Sequence, residues 1–187
     1  MLLAILVISQ IVVTNSTTKT KTVPYRVISK MDGFEIRKYP ELIVAKTRLK
    51  SASYKSNSSD GFRKIASYIF GGNSSNQQIS MTSPVQMEMT ENFAMSFFMP
   101  LEFDLNNLPI PDRKDVIITT EPEKMVAALE FTGFATDEIL NEKFEELKKM
   151  LALKNLRFEN KYSYLGYNPP YQMLNRRNEI IIKLIEF

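Results

Sequence analysis

The stretch "FEIRKYPELIVAKTRL", Phe34–Leu49, decides the fold, because it returns later in the chain as "VIITTEPEKMVAALEF", Val116–Phe131. Pro40-Glu41 followed by Val44-Ala45 matches Pro122-Glu123 followed by Val126-Ala127 at one constant offset. Two further resemblances keep the same order. "TSPVQM" (Thr82–Met87) is similar to "NPPYQM" (Asn168–Met173), and "FFMPLEF" ending at Phe103 is similar to "IIKLIEF" ending at Phe187. Ordered self-similarity of this kind predicts an internal duplication, with pseudo-repeats over about 23–103 and 104–187 of one domain, 23–187.

Each copy predicts two strands, a helix and two strands. Phe34, Ile36 and Lys38 alternate with Glu35, Arg37 and Tyr39, as on a half-buried strand. Pro40-Glu41 supplies a turn, and Leu42–Leu49 is the returning strand, rich in β-branched residues. A Ser/Asn-rich loop then leads to a helix from about Gly61 to Phe70, with Phe62, Ile65, Ala66 and Ile69 on one face and Tyr68 near its boundary. Gly71-Gly72 ends that helix rather than cradling a phosphate, since no Gly-Lys-Ser/Thr follows. In the second copy Thr136 is the predicted N-cap, with Leu140, Phe144, Leu147 and Leu151 as the buried stripe and Glu145–Lys149 as an exposed pair. Strands follow at Tyr162–Tyr167 and Glu179–Ile185. The predicted class is α+β: duplicated ββαββ units forming a twisted antiparallel sheet or distorted barrel, with two helices packed on it.

Composition closes many routes to chemistry. The 187 residues include no Cys and no His. Disulfides, thiolate nucleophiles, His-based triads and the usual zinc sites are therefore excluded, leaving carboxylates, Tyr, Lys, Ser/Thr or a bound cofactor. Hydrophobic residues at 44% and charged residues at 24% suit a folded domain. The net charge of +3 is spread along the chain, without the basic block of a nucleic-acid surface. At the N-terminus, Leu2–Val13 is apolar. It is shorter than the roughly 20 residues of a membrane span and matches a signal-peptide core. Residues 1–22 are thus expected to be a signal peptide or hydrophobic anchor with a polar linker. Export to the periplasm or outside the cell is expected if the segment is a signal peptide and membrane anchoring otherwise, with any membrane association confined to residues 1–13. Asn57 and Asn73 head glycosylation sequons, which matter only on a eukaryotic secretory route.

"YIFGGN", "MTSPV", "MSFFMP", "LPIPD" and "YNPPY…RRNEI", in this order from about Val23 to the C-terminus, resemble the SOUL family of haem-binding proteins. The resemblance implies a duplicated fold akin to bacterial GyrI-like effector-binding domains. It also implies non-enzymatic binding of haem or another tetrapyrrole in a shallow apolar site on the first helix, partly covered by a loop near Pro169–Arg177. Some family members are assigned an axial His, which this chain lacks, so any iron here is open, water-bound or held by Tyr, Met or Lys.

The candidate ligand-binding residues are Arg63, Lys64, Tyr68, Tyr171, Arg176 and Arg177. The four basic side chains suit propionates through charge-assisted hydrogen bonds, and Tyr68 or Tyr171 could ligate iron. Met81, Met87, Met89, Met95 and Met99 are expected in the core, and Tyr164, Tyr167 and Tyr171 at a packed corner or an aromatic rim. The alternatives are a GyrI-like sensor or hydrolase, with Glu88 or Glu130 as base, and a protein–protein module that has lost haem. Glu88 is expected on the face opposite Met87 and Met89. A monomer is expected.

Overall fold

The computed structural model describes residues 20–50, 53–89 and 93–186; the apolar segment Leu2–Val13 lies outside the described residues. Its strands are β1 (Arg26–Lys30), β2 (Glu35–Tyr39), β3 (Leu42–Arg48), β4 (Val85–Met89), β5 (Ala94–Phe98), β6 (Val116–Glu121), β7 (Lys124–Phe131), β8 (Arg157–Phe158), β9 (Tyr162–Gly166) and β10 (Asn178–Glu186). The helices are α1 (Tyr54–Ile69) and α2 (Asp137–Leu153). The predicted α+β class is borne out: one curled antiparallel sheet runs β1-β2-β7-β10-β9-β4-β5-β3-β6, with β8 attached to β10 and both helices packed on one face.

The Pro-Glu steps do not make hairpins. β2 pairs with β7 and β3 pairs with β6, so at each step the chain leaves one half-sheet and enters the other. The two steps lie side by side, with Tyr39 opposite Lys124 and Leu42 opposite Glu121. Pro lacks the N–H that a continuing ladder needs, which suits it to a corner. The first repeat thus lends β2 to the second and the second lends β6 to the first, while β4 and β9 pair at the centre, Met87 opposite Tyr164. The expected likeness of Thr82–Met87 to Asn168–Met173 does not survive. The first runs into β4, whereas the second lies in the loop between β9 and β10.

Helix α1 begins well before Gly61. Ser53 caps it through Ser56 N–H, and the Ser/Asn-rich run is its first two turns. The reason is long-range: Asp137 Oδ1 accepts from Tyr54 N–H at 2.6 Å, and Oδ2 accepts from Ser53 Oγ at 2.9 Å and Lys55 N–H at 3.4 Å. Asp137 is also the first residue of α2, so one carboxylate ties the starts of both helices. Thr136 caps α2 through Ile139 N–H, as expected. The exposed pair is Glu145–Lys148 rather than Glu145–Lys149.

At its C-terminus α1 closes in a Schellman turn: Gly72 N–H donates to Ser67 O at 2.8 Å and Gly71 N–H to Tyr68 O at 3.4 Å. Gly71 has φ +104°, which L side chains rarely adopt. Beneath the helices Ile65, Ile69, Leu140, Leu147 and Leu151 are at most 1% exposed. Burying such a side chain contributes roughly 1.5–3 kcal/mol, so packing rather than propensity holds the helices. Met87, Met95 and Met99 are buried in that core, with Met81 and Met89 at its margin. Both sequon asparagines are buried. Asn57 Nδ2 donates to Ser53 O, and Asn73 Nδ2 donates to Tyr68 O and Gln77 O.

Asp137→Ala is expected to destabilise the fold by about 1–2 kcal/mol, the upper range for loss of a helix cap, measured by urea unfolding. A smaller loss than for Thr136→Ala would show that the shared carboxylate is not holding α1.

Candidate functional site

On the face of the sheet turned away from the helices, Tyr39, Leu42, Val44, Phe98, Val126, Leu165, Tyr167 and Ile181 form a second apolar cluster. A charged network that the sequence did not single out adjoins it. Glu179 is 0% exposed. Its Oε2 accepts from Arg37 Nη1 at 2.8 Å and Tyr167 Oη at 2.9 Å; its Oε1 accepts from Arg177 Nη2 at 2.6 Å and Nε at 3.2 Å. The Arg37 guanidinium lies 4.3 Å from the Tyr25 ring centre and Arg177 lies 4.2 Å from that of Tyr167. Burial alone would lower the Arg37 guanidinium, but Glu179 and Glu35 override it and hold it above its ordinary value. Burial, with Glu179 adding, pushes the Tyr39 phenol up to about 12, and its hydroxyl has no partner. A cavity of about 320 Å³ borders this network, lined by Tyr25, Lys30, Glu35, Arg37, Glu130 and Arg177 among others.

The six ligand-binding candidates do not converge. Tyr68 is 0% exposed; burial pushes its phenol up to about 12, and its hydroxyl donates to Pro109 O at 3.0 Å. Arg63 points to solvent, 77% exposed, 3.7 Å from Asp60. Lys64 lies against the surface, paired with Asp60 at 2.9 Å and Asp115 at 3.5 Å. Arg177 belongs to the Glu179 network. Arg63 and Lys64 share Asp60 at the surface of α1, and Tyr171 and Arg176 share the loop between β9 and β10, at whose end Arg177 stands.

That loop is built from the inside. Arg176 is 6% exposed, and its Nη1 donates to Pro169 O at 2.8 Å and Gln172 O at 2.7 Å. Asn168 Oδ1 accepts from Arg177 N–H at 2.6 Å, closing the loop at its base. Asn175 takes φ +50°, turning the chain back into β10. With the polar groups directed inward, Tyr171, Met173 and Leu174 are left outside at 66%, 60% and 54% exposure. Phe134, 51% exposed, meets the loop through the Arg176 guanidinium, 4.7 Å from its ring centre. The Nε of Arg176 is buried and has no partner. Tyr164 and Tyr167 are buried, the packed-corner outcome, whereas Tyr171 stands at the rim. In β9, just before the loop, the Tyr164 hydroxyl donates to Asn178 Oδ1 at 2.8 Å and its ring meets that of Tyr54, the first residue of α1, edge-on at 5.3 Å.

The two carboxylates considered as bases are both ion-paired. Glu88 faces away from Met87 and Met89, as expected, and binds Lys46. Glu130 is 54% exposed and 3.0 Å from Arg177. No group of three His, Cys, Asp or Glu able to hold a metal ion occurs among the described residues.

Removing one partner of a buried ion pair strands the other, at about 3–5 kcal/mol. Arg37→Met is therefore expected to lower unfolding free energy by about that amount, and Glu130→Gln, at the exposed end, by less than about 1 kcal/mol. Equal losses in urea denaturation would contradict the assignment of Glu179 as the organising charge.

Comparison with known proteins agrees with the fold. A family model described as SOUL heme-binding protein matches residues 20–183. Heme-binding protein 2 of Homo sapiens is 31% identical over 157 residues, spanning 79% of this chain and 76% of its own. The crystal structure of the EcmrR C-terminal domain superposes with TM-score 0.61 at 12% identity, over 87% of this chain and 99% of that one. A hydrolase from Listeria innocua does so with TM-score 0.55 at 8% identity, over 84% and 94%. At such identities the structural likeness is one of fold alone. The family match covers most of the chain and the human relative shares nearly a third of its aligned residues, so the protein belongs to the SOUL heme-binding family.

Proposed function

We propose that the protein binds haem, or another flat tetrapyrrole bearing carboxylates, without catalysing a reaction, on a shallow apolar surface beside the start of α1. The loop of Tyr171, Met173 and Leu174 with Phe134 carries this reading. Tyr171, Met173, Leu174 and Phe134 are each more than half exposed; the loop that carries the first three is anchored on the buried Arg176, and the Phe134 ring lies over its guanidinium. Exposed apolar patches of this kind mark binding surfaces, and a broad flat ligand suits one better than a narrow pocket does. The positive charge that Arg176 keeps beneath the loop favours a ligand bearing carboxylates, the group that propionates supply. Bound haem would supply iron and a strong visible absorbance; the chain supplies apolar contact, a cation and the accessible phenol of Tyr171. Tyr68, fully buried and donating to Pro109, is less suited to iron than Tyr171.

The non-enzymatic reading is supported by the state of the carboxylates. Glu88 and Glu130 are neutralised by Lys46 and Arg177, and Glu179 is clamped by three side chains. A general base must reach its substrate's proton, and none of these is poised to do so. The role is sequestration or transport, outside the cytoplasm if Leu2–Val13 directs export.

Hemin titration followed by absorbance tests the site. Saturable binding is expected, weakened roughly tenfold or more by Leu174→Glu or Phe134→Ser, since each removes an apolar contact of about 1.5 kcal/mol or more. Tyr68→Phe is expected to leave affinity and spectrum unchanged. Loss of binding in Tyr68→Phe with none in Leu174→Glu would move the ligand away from the loop.

A further inference from the structure

Sulfur chemistry in this chain falls to methionine alone, because the sequence has ten Met and no Cys. Met87, Met95 and Met99 are at most 5% exposed in the core under the helices. Met31, Met81, Met89, Met125 and Met150 are partly buried against that core. Met173 differs. At 60% it is the one exposed methionine among the described residues, and it stands between the exposed Tyr171 and Leu174 on the loop that joins β9 to β10. Oxidation of methionine to the sulfoxide turns a flexible apolar side chain into a polar one and disrupts Met-rich apolar surfaces. Exposure singles out Met173 for that reaction, and its place on the loop makes the reaction consequential.

We infer that Met173 is an oxidation site through which hydrogen peroxide weakens the ligand surface, an inference that rests on the function proposed above. The thioether sulfur attacks one peroxide oxygen, the O–O bond breaks, and the other oxygen leaves as water with both peroxide protons. Sulfur is oxidised to the sulfoxide and the peroxide is reduced. A flat apolar ligand then meets a polar group in the middle of the apolar stretch. The framework of the loop does not depend on that side chain. Gln172, 1% exposed, donates from Nε2 to Leu174 O at 2.8 Å, and Arg176 Nη1 donates to Gln172 O at 2.7 Å. The backbone on both sides of Met173 is thus held from inside, so oxidation alters the surface without loosening the fold. Methionine sulfoxide reductases reverse the reaction, which makes the modification a switch rather than damage.

Treating the full chain with hydrogen peroxide, removing the peroxide, and then combining peptide mass spectrometry with hemin titration tests this. Met173 is expected to gain an oxygen well before Met87, Met95 or Met99 does. The oxidised protein is expected to bind hemin roughly tenfold more weakly, the loss of one large apolar contact, and reductase treatment should restore the affinity. Met173→Leu, apolar and without sulfur, should bind hemin and keep its affinity through peroxide, whereas Met173→Gln should bind weakly from the start. Equal oxidation of the core methionines, unchanged affinity once Met173 is oxidised, or peroxide sensitivity persisting in Met173→Leu would overturn the inference alone. If the untreated protein fails to bind hemin, the function proposed above falls and the switch falls with it.

Discussion

The partner exchange at the two Pro-Glu corners is the constraint on which the rest of the structure depends. Each proline ends a ladder, and the chain beyond it joins the other half of the sheet rather than folding back on itself. Neither repeat can therefore complete its half of the sheet alone, because among the described residues β2 is paired only with β7 and β1, and β6 only with β3. The curl that follows puts an apolar face under the two helices. It leaves the other face to a smaller cluster and the Glu179 network. Asp137 adds a second tie, joining the two helix starts.

The two faces then divide the labour. Away from the helices, a fully buried carboxylate is balanced by two guanidinium groups that stack on tyrosine rings. A buried charge so compensated contributes little net stability but is costly to break, so it fixes the strands around it in one arrangement. Near the helix starts the reverse holds. Polar groups of the loop turn inward onto the Arg176 guanidinium and apolar ones turn outward, an arrangement that solvation alone does not favour and a flat apolar ligand does.

Features set by local pattern were legible in the sequence: the strand alternation from Phe34, the buried stripe of α2 with its Thr136 cap, and the glycine stop after α1. Features set by distant partners were not. Gly61 seemed the start of α1 because Ser and Asn are poor helix formers, and the Asp137 cap that rescues the first turns lies far along the chain. Pro40-Glu41 looked like a hairpin because pairing across the sheet leaves no local mark. Tyr68 sat at the border of the helical stripe, and only the approach of Pro109 shows that it is enclosed. For Glu179 a signal was present. It lies on the same strand face as the apolar Ile181, with Arg177 two residues before it. The likeness of Thr82–Met87 to Asn168–Met173 was one of composition without structural equivalence. Membership of the SOUL heme-binding family is what suggests haem, and the place proposed for it on this chain rests on the loop's own geometry.

Nuclear magnetic resonance of the labelled protein with ferric hemin tests that placement most directly, because the paramagnetic iron broadens nearby amide signals. Broadening is predicted to centre on Tyr171–Leu174, Phe134 and the first turn of α1, leaving Tyr25 and the Glu35–Tyr39 strand sharp. Broadening centred on the Arg37–Glu179 face, or spread evenly over the surface, would contradict the account.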